Sequence, residues 1–161
     1  MIRRDFLKNS LLSLPVISAV TPEPIQSNKP TKPIIISTWD FGRAANAEGW
    51  KILSANGRAL DAIEKGARVT EADESNKTVG YGGYPDRDGR VTLDACIMDE
   101  KGNCGAVMCL EYIKHPISVA RMVMEKTPHV ILVGDGALQF ALANGFKKEN
   151  NRIKNYAQQR V

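Results

Sequence analysis

Residues 91–110 constrain the fold more than any other part of the chain, because they hold two strand patterns joined by a turn. Every second residue from Val91 to Ile97 is apolar, which is the period-two pattern of a strand with one buried face. A polar turn follows at 99–103, and residues 104–110 form a second apolar run that is too short for a typical helix. The sequence therefore predicts an antiparallel β-hairpin.

Helical patterns lie on both sides of this hairpin. We predict four helices, over residues 44–54, 59–72, 117–125 and 136–143. An apolar, β-branched run at 34–37 predicts a further, buried strand. Because the strand patterns come together between helices instead of alternating with them, we predict an α+β fold with an antiparallel sheet.

The first residues carry the pattern of an export signal. Arg3 and Arg4 precede Phe-Leu-Lys, and the weakly apolar stretch that follows is far shorter than the roughly 20 residues needed to cross a bilayer. Pro15 disfavours the alternative, an amphipathic helix that opens the domain. We predict a twin-arginine-type signal peptide at 1–20, processed near Ala19 to give a periplasmic or secreted product.

Composition and charge divide the rest of the chain. They predict a Pro-rich linker at 21–33, a folded body at 34–146 and a polar, basic tail or the start of a linker at 147–161. The formal net charge of +4 comes from the two ends, since residues 1–20 carry +2 and residues 147–161 carry +4. Because the body has no basic stripe, we predict no nucleic-acid partner.

Few side chains of the body indicate chemistry. Cys96, Cys104 and Cys109 lie in apolar runs, which predicts buried, inert thiols, although an exported protein could oxidise two of them. His115 and His129 have no acid or cysteine at ligand spacing. We therefore predict structural roles for both histidines, and neither a metal nor a cofactor.

Trp39 is the side chain most typical of a binding site. It follows the apolar run at 34–37 and precedes Asp-Phe-Gly, where the chain is predicted to turn into a helix. A large amphipathic ring at the tip of a strand commonly forms a pocket wall in layered folds. Plain packing in the core is the alternative, because most Trp side chains are largely buried.

Several motifs of the body occur in the order found in one enzyme family. They are Ser37-Thr-Trp-Asp-Phe41, Asn56-Gly-Arg-Ala-Leu-Asp-Ala62, Val79-Gly-Tyr-Gly-Gly83, Thr92-Leu-Asp-Ala95, Ile97-Met-Asp99, Ile117-Ser-Val-Ala-Arg121 and Leu132-Val-Gly134. Over residues 32–148 the chain resembles the α-subunit of the glycosylasparaginases, which are N-terminal nucleophile hydrolases. The related plant-type asparaginases carry His-Gly-Gly-Ala-Gly where this chain has Ser37-Thr-Trp-Asp-Phe41.

The resemblance implies a four-layer αββα sandwich and hydrolysis of the amide between asparagine and N-acetylglucosamine. In this family a precursor cuts itself ahead of a threonine, whose hydroxyl is the nucleophile and whose α-amine is the base. The resemblance also implies a substrate-pocket role for Trp39, with Phe41 as a weaker neighbour. The implied partner is a β-subunit, in an (αβ)2 heterotetramer.

The chain departs from the family pattern at the chemistry itself. The family cleaves within His-Asp-Thr-Ile-Gly, whereas no threonine of this chain follows an aspartate. We therefore expect the chain to hold no catalytic residue, to need the missing C-terminal half and to be inactive alone. Two alternatives stay open, namely a fragment of a plant-type asparaginase or isoaspartyl peptidase, and an exported, non-catalytic binding module.

Overall fold

The computed structural model describes residues 33–149. The predicted signal peptide at 1–20, nearly all of the linker at 21–33 and residues 150–161 of the predicted tail lie outside the described residues. Within the described range, no helix is long and apolar enough to span a membrane.

Two helices, α1 (Gly42–Ser54) and α2 (Ala59–Ala72), open the described chain. Asn56 lies between them in the left-handed conformation, with φ of 59°, which commonly stops a helix. Both predicted helices are confirmed. Near-helical spacing in the sequence places Leu60, Ile63, Ala67 and Val69 on one apolar side of α2. This prediction is only half right, because Leu60 is buried whereas Ile63 is exposed. The reason is that α2 packs against α1 through the side that carries its small residues.

The predicted hairpin is confirmed. Strands β1 (Leu93–Met98) and β2 (Cys104–Leu110) pair antiparallel, with a bulge beside Leu93. A third strand, β3 (Ile131–Val133), pairs with β2 in parallel. The prediction of a purely antiparallel sheet is therefore wrong at this edge. A helix between β2 and β3 carries the chain back along the sheet, and such a crossover makes the two strands parallel.

Helices α3 (Pro116–Lys126) and α4 (Gly134–Ala143) pack against the sheet and contain the two remaining predicted helical segments. Pro116 suits the first position of α3, where its missing N–H has no helical partner to lose. The fully buried core side chains are Val107, Leu110, Val119, Ala120, Val123, Ala137 and Ala141. Sheet and helices thus form one mixed α+β core, with α3 and α4 pressed on β2.

The opposite face of the sheet is not covered by any described element, and we call it the open face. It carries Cys96, Met98, Cys104, Met108, Ile131 and Val133. Met98, for example, is 66% exposed. The prediction of buried thiols is wrong for Cys96, Cys104 and Cys109, all of which are exposed. Strand alternation turns Cys96 and Cys104 away from the helices, and Cys109 lies in the bulged end of β2.

The predicted strand at 34–37 is also wrong. The segment has no regular secondary structure, and Ile34 and Ile36 are 77% and 82% exposed. A β-branched run becomes a strand only where a neighbouring strand completes its backbone hydrogen bonds. The described sheet consists of β1, β2 and β3 and does not include this segment.

Candidate functional site

The two predicted site residues, Trp39 and Phe41, lie together just before α1 and line one groove. Trp39 is 69% exposed, so it is not part of the core. Its ring stacks on that of Phe41, with 6.4 Å between the ring centroids and 9° between the ring planes. The groove beside them has a volume of about 260 Å³. The structure therefore brings the two predicted side chains to one concave surface.

The groove exists because α1 and α2 meet backbone to backbone. A Cβ on Gly49 would lie 2.8 Å from the carbonyl oxygen of Ala62, and one on Gly66 would lie 2.7 Å from that of Ala45. Such distances leave no room for a side chain at the contact. Larger residues around this contact line the groove. Besides the two rings, they include Ile35, Ser37, Asn46, Ile63 and Thr70.

The lining of this groove is uncharged. Its polar side chains include hydroxyls and one amide. Ser37 Oγ donates to Asn46 Oδ1 at 2.5 Å, and Thr70 Oγ1 donates to the carbonyl of Ala67 at 2.9 Å. None of the described lining residues is ionisable. The groove can therefore bind and orient a ligand, but it offers no general base that could activate a hydroxyl nucleophile.

A larger groove, of about 540 Å³, lies between α2, α3 and the chain after α4. Its wall is charged, and Arg121 contacts Asp61 at 2.6 Å and both Glu64 and Glu125 at 2.8 Å. Burial lowers the pKa of Arg121, but hydrogen bonds to the three carboxylates outweigh it and raise the pKa above its ordinary value. These charged groups pair with one another and join α2 to α3, so we assign them a structural role. We therefore place the candidate site at the groove beside Trp39 and Phe41, which we call the Trp39 groove.

The histidines lie outside the Trp39 groove. His115 Nδ1 is 3.3 Å from Glu71 Oε2, and the backbone N–H of Ile117 donates to Glu71 Oε1 at 2.8 Å. The buried Glu71 carboxylate thus satisfies a free N–H in the first turn of α3. His129 is exposed on the segment before β3. Within residues 33–149, no group of three or more His, Cys, Asp or Glu side chains could hold a metal ion.

Sequence reasoning missed Ser37, Asn46, Ile63 and Thr70 as groove residues. Ile63 and Thr70 are seven residues apart on α2, so helical spacing places both on one face and could have indicated that they act together. No sequence signal joins Ser37 to Asn46. Their contact depends on how the irregular segment before α1 folds back onto that helix.

Comparison with known proteins finds relatives along nearly the whole chain. The sequence model of the asparaginase family matches residues 22–161. An N(4)-(β-N-acetylglucosaminyl)-L-asparaginase of Elizabethkingia miricola is 60% identical over 158 residues, which cover 92% of this chain and 45% of that relative. The enzymes of that name from Mus musculus and Rattus norvegicus are 44% and 43% identical, over 91% and 86% of this chain and 42% and 39% of the relatives. The chain thus spans less than half the length of the curated relatives it matches.

Proposed function

We propose that this chain, which belongs to the asparaginase family, is the amino-terminal part of an amidohydrolase that cleaves the amide between asparagine and N-acetylglucosamine. Membership in the family confirms the resemblance drawn from the motifs. The relatives named above carry this substrate in their names. The observation that carries the proposal is the uncharged groove walled by Trp39 and Phe41, which can bind a ligand but has no base of its own.

The proposal divides binding and chemistry between two parts of the enzyme. This chain contributes the groove, where the exposed ring of Trp39 forms a wall for the substrate. A threonine outside this chain contributes the nucleophile, and its α-amine takes the hydroxyl proton. Attack on the side-chain amide gives an acyl-enzyme and releases the amino sugar, which receives the proton as it leaves. Water then opens the ester to aspartate.

The exposed apolar side chains of the open face support the proposal that a second half of the enzyme packs on this one. Apolar side chains of β1, β2 and β3 are exposed there, and burying them releases about 25 cal/mol for each Å² removed from water. A second sheet stacked about 10 Å above the first covers such a face in sandwich folds. We therefore propose that the complete enzyme forms the four-layer αββα sandwich, and that two such αβ units assemble as (αβ)2.

A hybrid protein tests the proposed function. It joins residues 22–161 of this chain to the part of the Elizabethkingia miricola relative that lies outside the matched stretch. We expect the hybrid to release aspartate from N4-(β-N-acetylglucosaminyl)-L-asparagine, and the chain alone to release none. A hybrid that folds and cuts itself but leaves this substrate intact contradicts the proposal.

Two tryptophan variants of the hybrid locate the activity in the groove. Trp39→Ala removes the groove wall, so we expect it to raise KM. Trp50→Ala is the matched control, because Trp50 is also exposed but does not line the groove. Equal effects of the two substitutions on KM count against a binding role for Trp39.

The alternatives from the sequence predict other outcomes in the same experiments. A plant-type asparaginase or isoaspartyl peptidase would give a hybrid that prefers free asparagine or isoaspartyl dipeptides. A non-catalytic binding module would give a chain that binds the glycosyl-asparagine by itself, with an affinity unchanged in the hybrid. The names of the relatives favour the glycosylasparaginase proposal over both.

A further inference from the structure

The rings of Trp39 and Phe41 lie on a segment without regular secondary structure, so specific contacts must hold them. On the side towards α1, the backbone N–H of Gly42 donates to the carbonyl of Trp39 at 2.8 Å. On the other side, Ser37 Oγ donates to Asn46 Oδ1 at 2.5 Å. This bond joins residues nine positions apart and closes a loop that has Trp39 within it.

Gly42 allows this loop to close. A Cβ on Gly42 would lie 2.2 Å from the Cβ of Ser37 and 2.8 Å from its Oγ. The side chain of Ser37 therefore rests directly on the first turn of α1, and Asn46 follows Gly42 by one helical turn on the same face. We call Ser37, Gly42 and Asn46 the Trp39 clasp.

The other contact of the segment has no directional preference. Ile35 rests on α1 at Gly49, where a Cβ would lie 2.7 Å from Ile35 Cδ1. Apolar burial favours the contact but is not directional. Hydrogen bonds do depend on distance and angle. The Ser37 to Asn46 bond is therefore the side-chain contact that sets where the segment enters the turn at Trp39.

We propose that Ser37 and Asn46 are positioning residues that hold Trp39 in place for substrate binding. The inference rests on the proposed function, because it gives the position of Trp39 a role in binding the glycosyl-asparagine. Ser37 is exposed and Asn46 is half-buried. We therefore expect loss of their hydrogen bond to have little effect on the stability of the fold as a whole. Its effect is local, because the segment before Trp39 is not part of the sheet.

Three substitutions in the hybrid protein test the clasp. Ser37→Ala and Asn46→Leu remove the hydrogen bond. We expect each to raise KM roughly two- to tenfold, which is the change in affinity that corresponds to the free energy of one hydrogen bond. We expect kcat to stay within about twofold. Asn46→Asp keeps an oxygen acceptor and is expected to return KM most of the way to that of the unmodified hybrid. The matched control is Ser54→Ala, which removes another serine hydrogen bond of α1, to the carbonyl of Lys51 at 3.3 Å.

A second measurement does not depend on activity. In the full chain carrying Trp50→Phe, Trp39 is the only tryptophan, and its fluorescence anisotropy reports how firmly the ring is held. We expect lower anisotropy in Ser37→Ala and Asn46→Leu, and no change in Ser54→Ala. Anisotropy that stays the same in all of these variants overturns the proposal.

The two measurements separate this inference from the proposed function. An unmodified hybrid that folds and cuts itself but is inactive overturns the proposed function, whereas lowered anisotropy in the clasp variants still supports the positioning of the ring. An active hybrid in which Ser37→Ala and Asn46→Leu match Ser54→Ala in KM overturns the inference alone. Equal loss of kcat and thermal stability in all clasp variants, Asn46→Asp included, assigns the clasp a merely structural role and also overturns it.

Discussion

Helix α3 lies very close to the sheet at Gly105, and we predict that Gly105→Ala strongly destabilises the protein. Gly105 is buried in β2 opposite Ile97. A Cβ there would lie 2.2 Å from the carbonyl oxygen of Ala120, and 2.7 Å from both the backbone nitrogen and the Cβ of Met124. Backbone atoms of a helix cannot move singly, so the whole of α3 must shift away from the sheet.

The expected magnitude follows from the packing. Helix α3 contributes the fully buried Val119 and Val123 to the core, and a shift opens gaps around both. Overpacking a core usually costs about 1–3 kcal/mol, and the backbone obstacle places Gly105→Ala at the upper end, near 3 kcal/mol. A loss of that size is a large fraction of the roughly 5–15 kcal/mol that stabilises a domain.

Gly136→Ala is the matched control. Gly136 lies in α4, and a Cβ there would meet no atom within 4 Å. Because alanine is a better helix former than glycine, we expect this variant to be as stable as the parent chain or more stable, by up to about 1 kcal/mol. The two substitutions add the same methyl group. Changes of opposite sign in the free energy of unfolding therefore isolate the effect of the close approach between α3 and β2.

Urea unfolding followed by far-UV circular dichroism measures both variants against the parent chain. The free energy of unfolding should fall for Gly105→Ala and hold or rise for Gly136→Ala, with similar m-values. A loss for Gly105→Ala within about 0.5 kcal/mol, the range of ordinary surface substitutions, refutes the argument. That result means that α3 can move away from β2 without opening the core.

Three further predictions concern other parts of the chain. The side-chain hydrogen bond from Asn103 lowers the pKa of Asp99, so this carboxylate stabilises the hairpin above its ordinary pKa of about 3.9 and loses that effect as the pH falls through the lowered value. Asp99→Asn should therefore flatten the acid side of the curve of unfolding free energy against pH, measured between about pH 2 and 5. An unchanged slope of that curve counts against the prediction. Cys96 and Cys104 on the open face should react with a thiol reagent in the chain alone and at least roughly tenfold more slowly in the hybrid, whereas equal rates argue against a covering sheet. Replacing the arginine pair at 3–4 by lysines should keep the precursor in the cytoplasm, as cell fractionation would show, and normal export of that variant opposes the twin-arginine signal.

The helices and the hairpin could be predicted because their signals are local. The alternation from Val91 to Ile97 and the turn after it define a strand pair before any distant contact forms. Asn56 stops α1 through its own backbone conformation. The parallel pairing of β3 could not be predicted in the same way, because it depends on where α3 returns the chain.

The residues of the candidate site also divide into those with a local sequence signal and those that depend on distant contacts. Trp39 and Phe41 were identified from their motif and from their place before a helix. The bond between Ser37 and Asn46 was not, because neither residue type nor spacing requires it. Thr70 reaches the groove only because α2 packs closely on α1.

By itself, the sequence determined the family, the helices, the hairpin and the two aromatic residues of the groove. Each depends on short segments whose periodicity, turn residues or motif act within a few positions. Only the tertiary structure decided that the run at 34–37 forms no strand and that Cys96 and Cys104 are exposed. An apolar residue is favoured in a strand or core, but burial also needs a second surface, and only the packing of distant segments provides one.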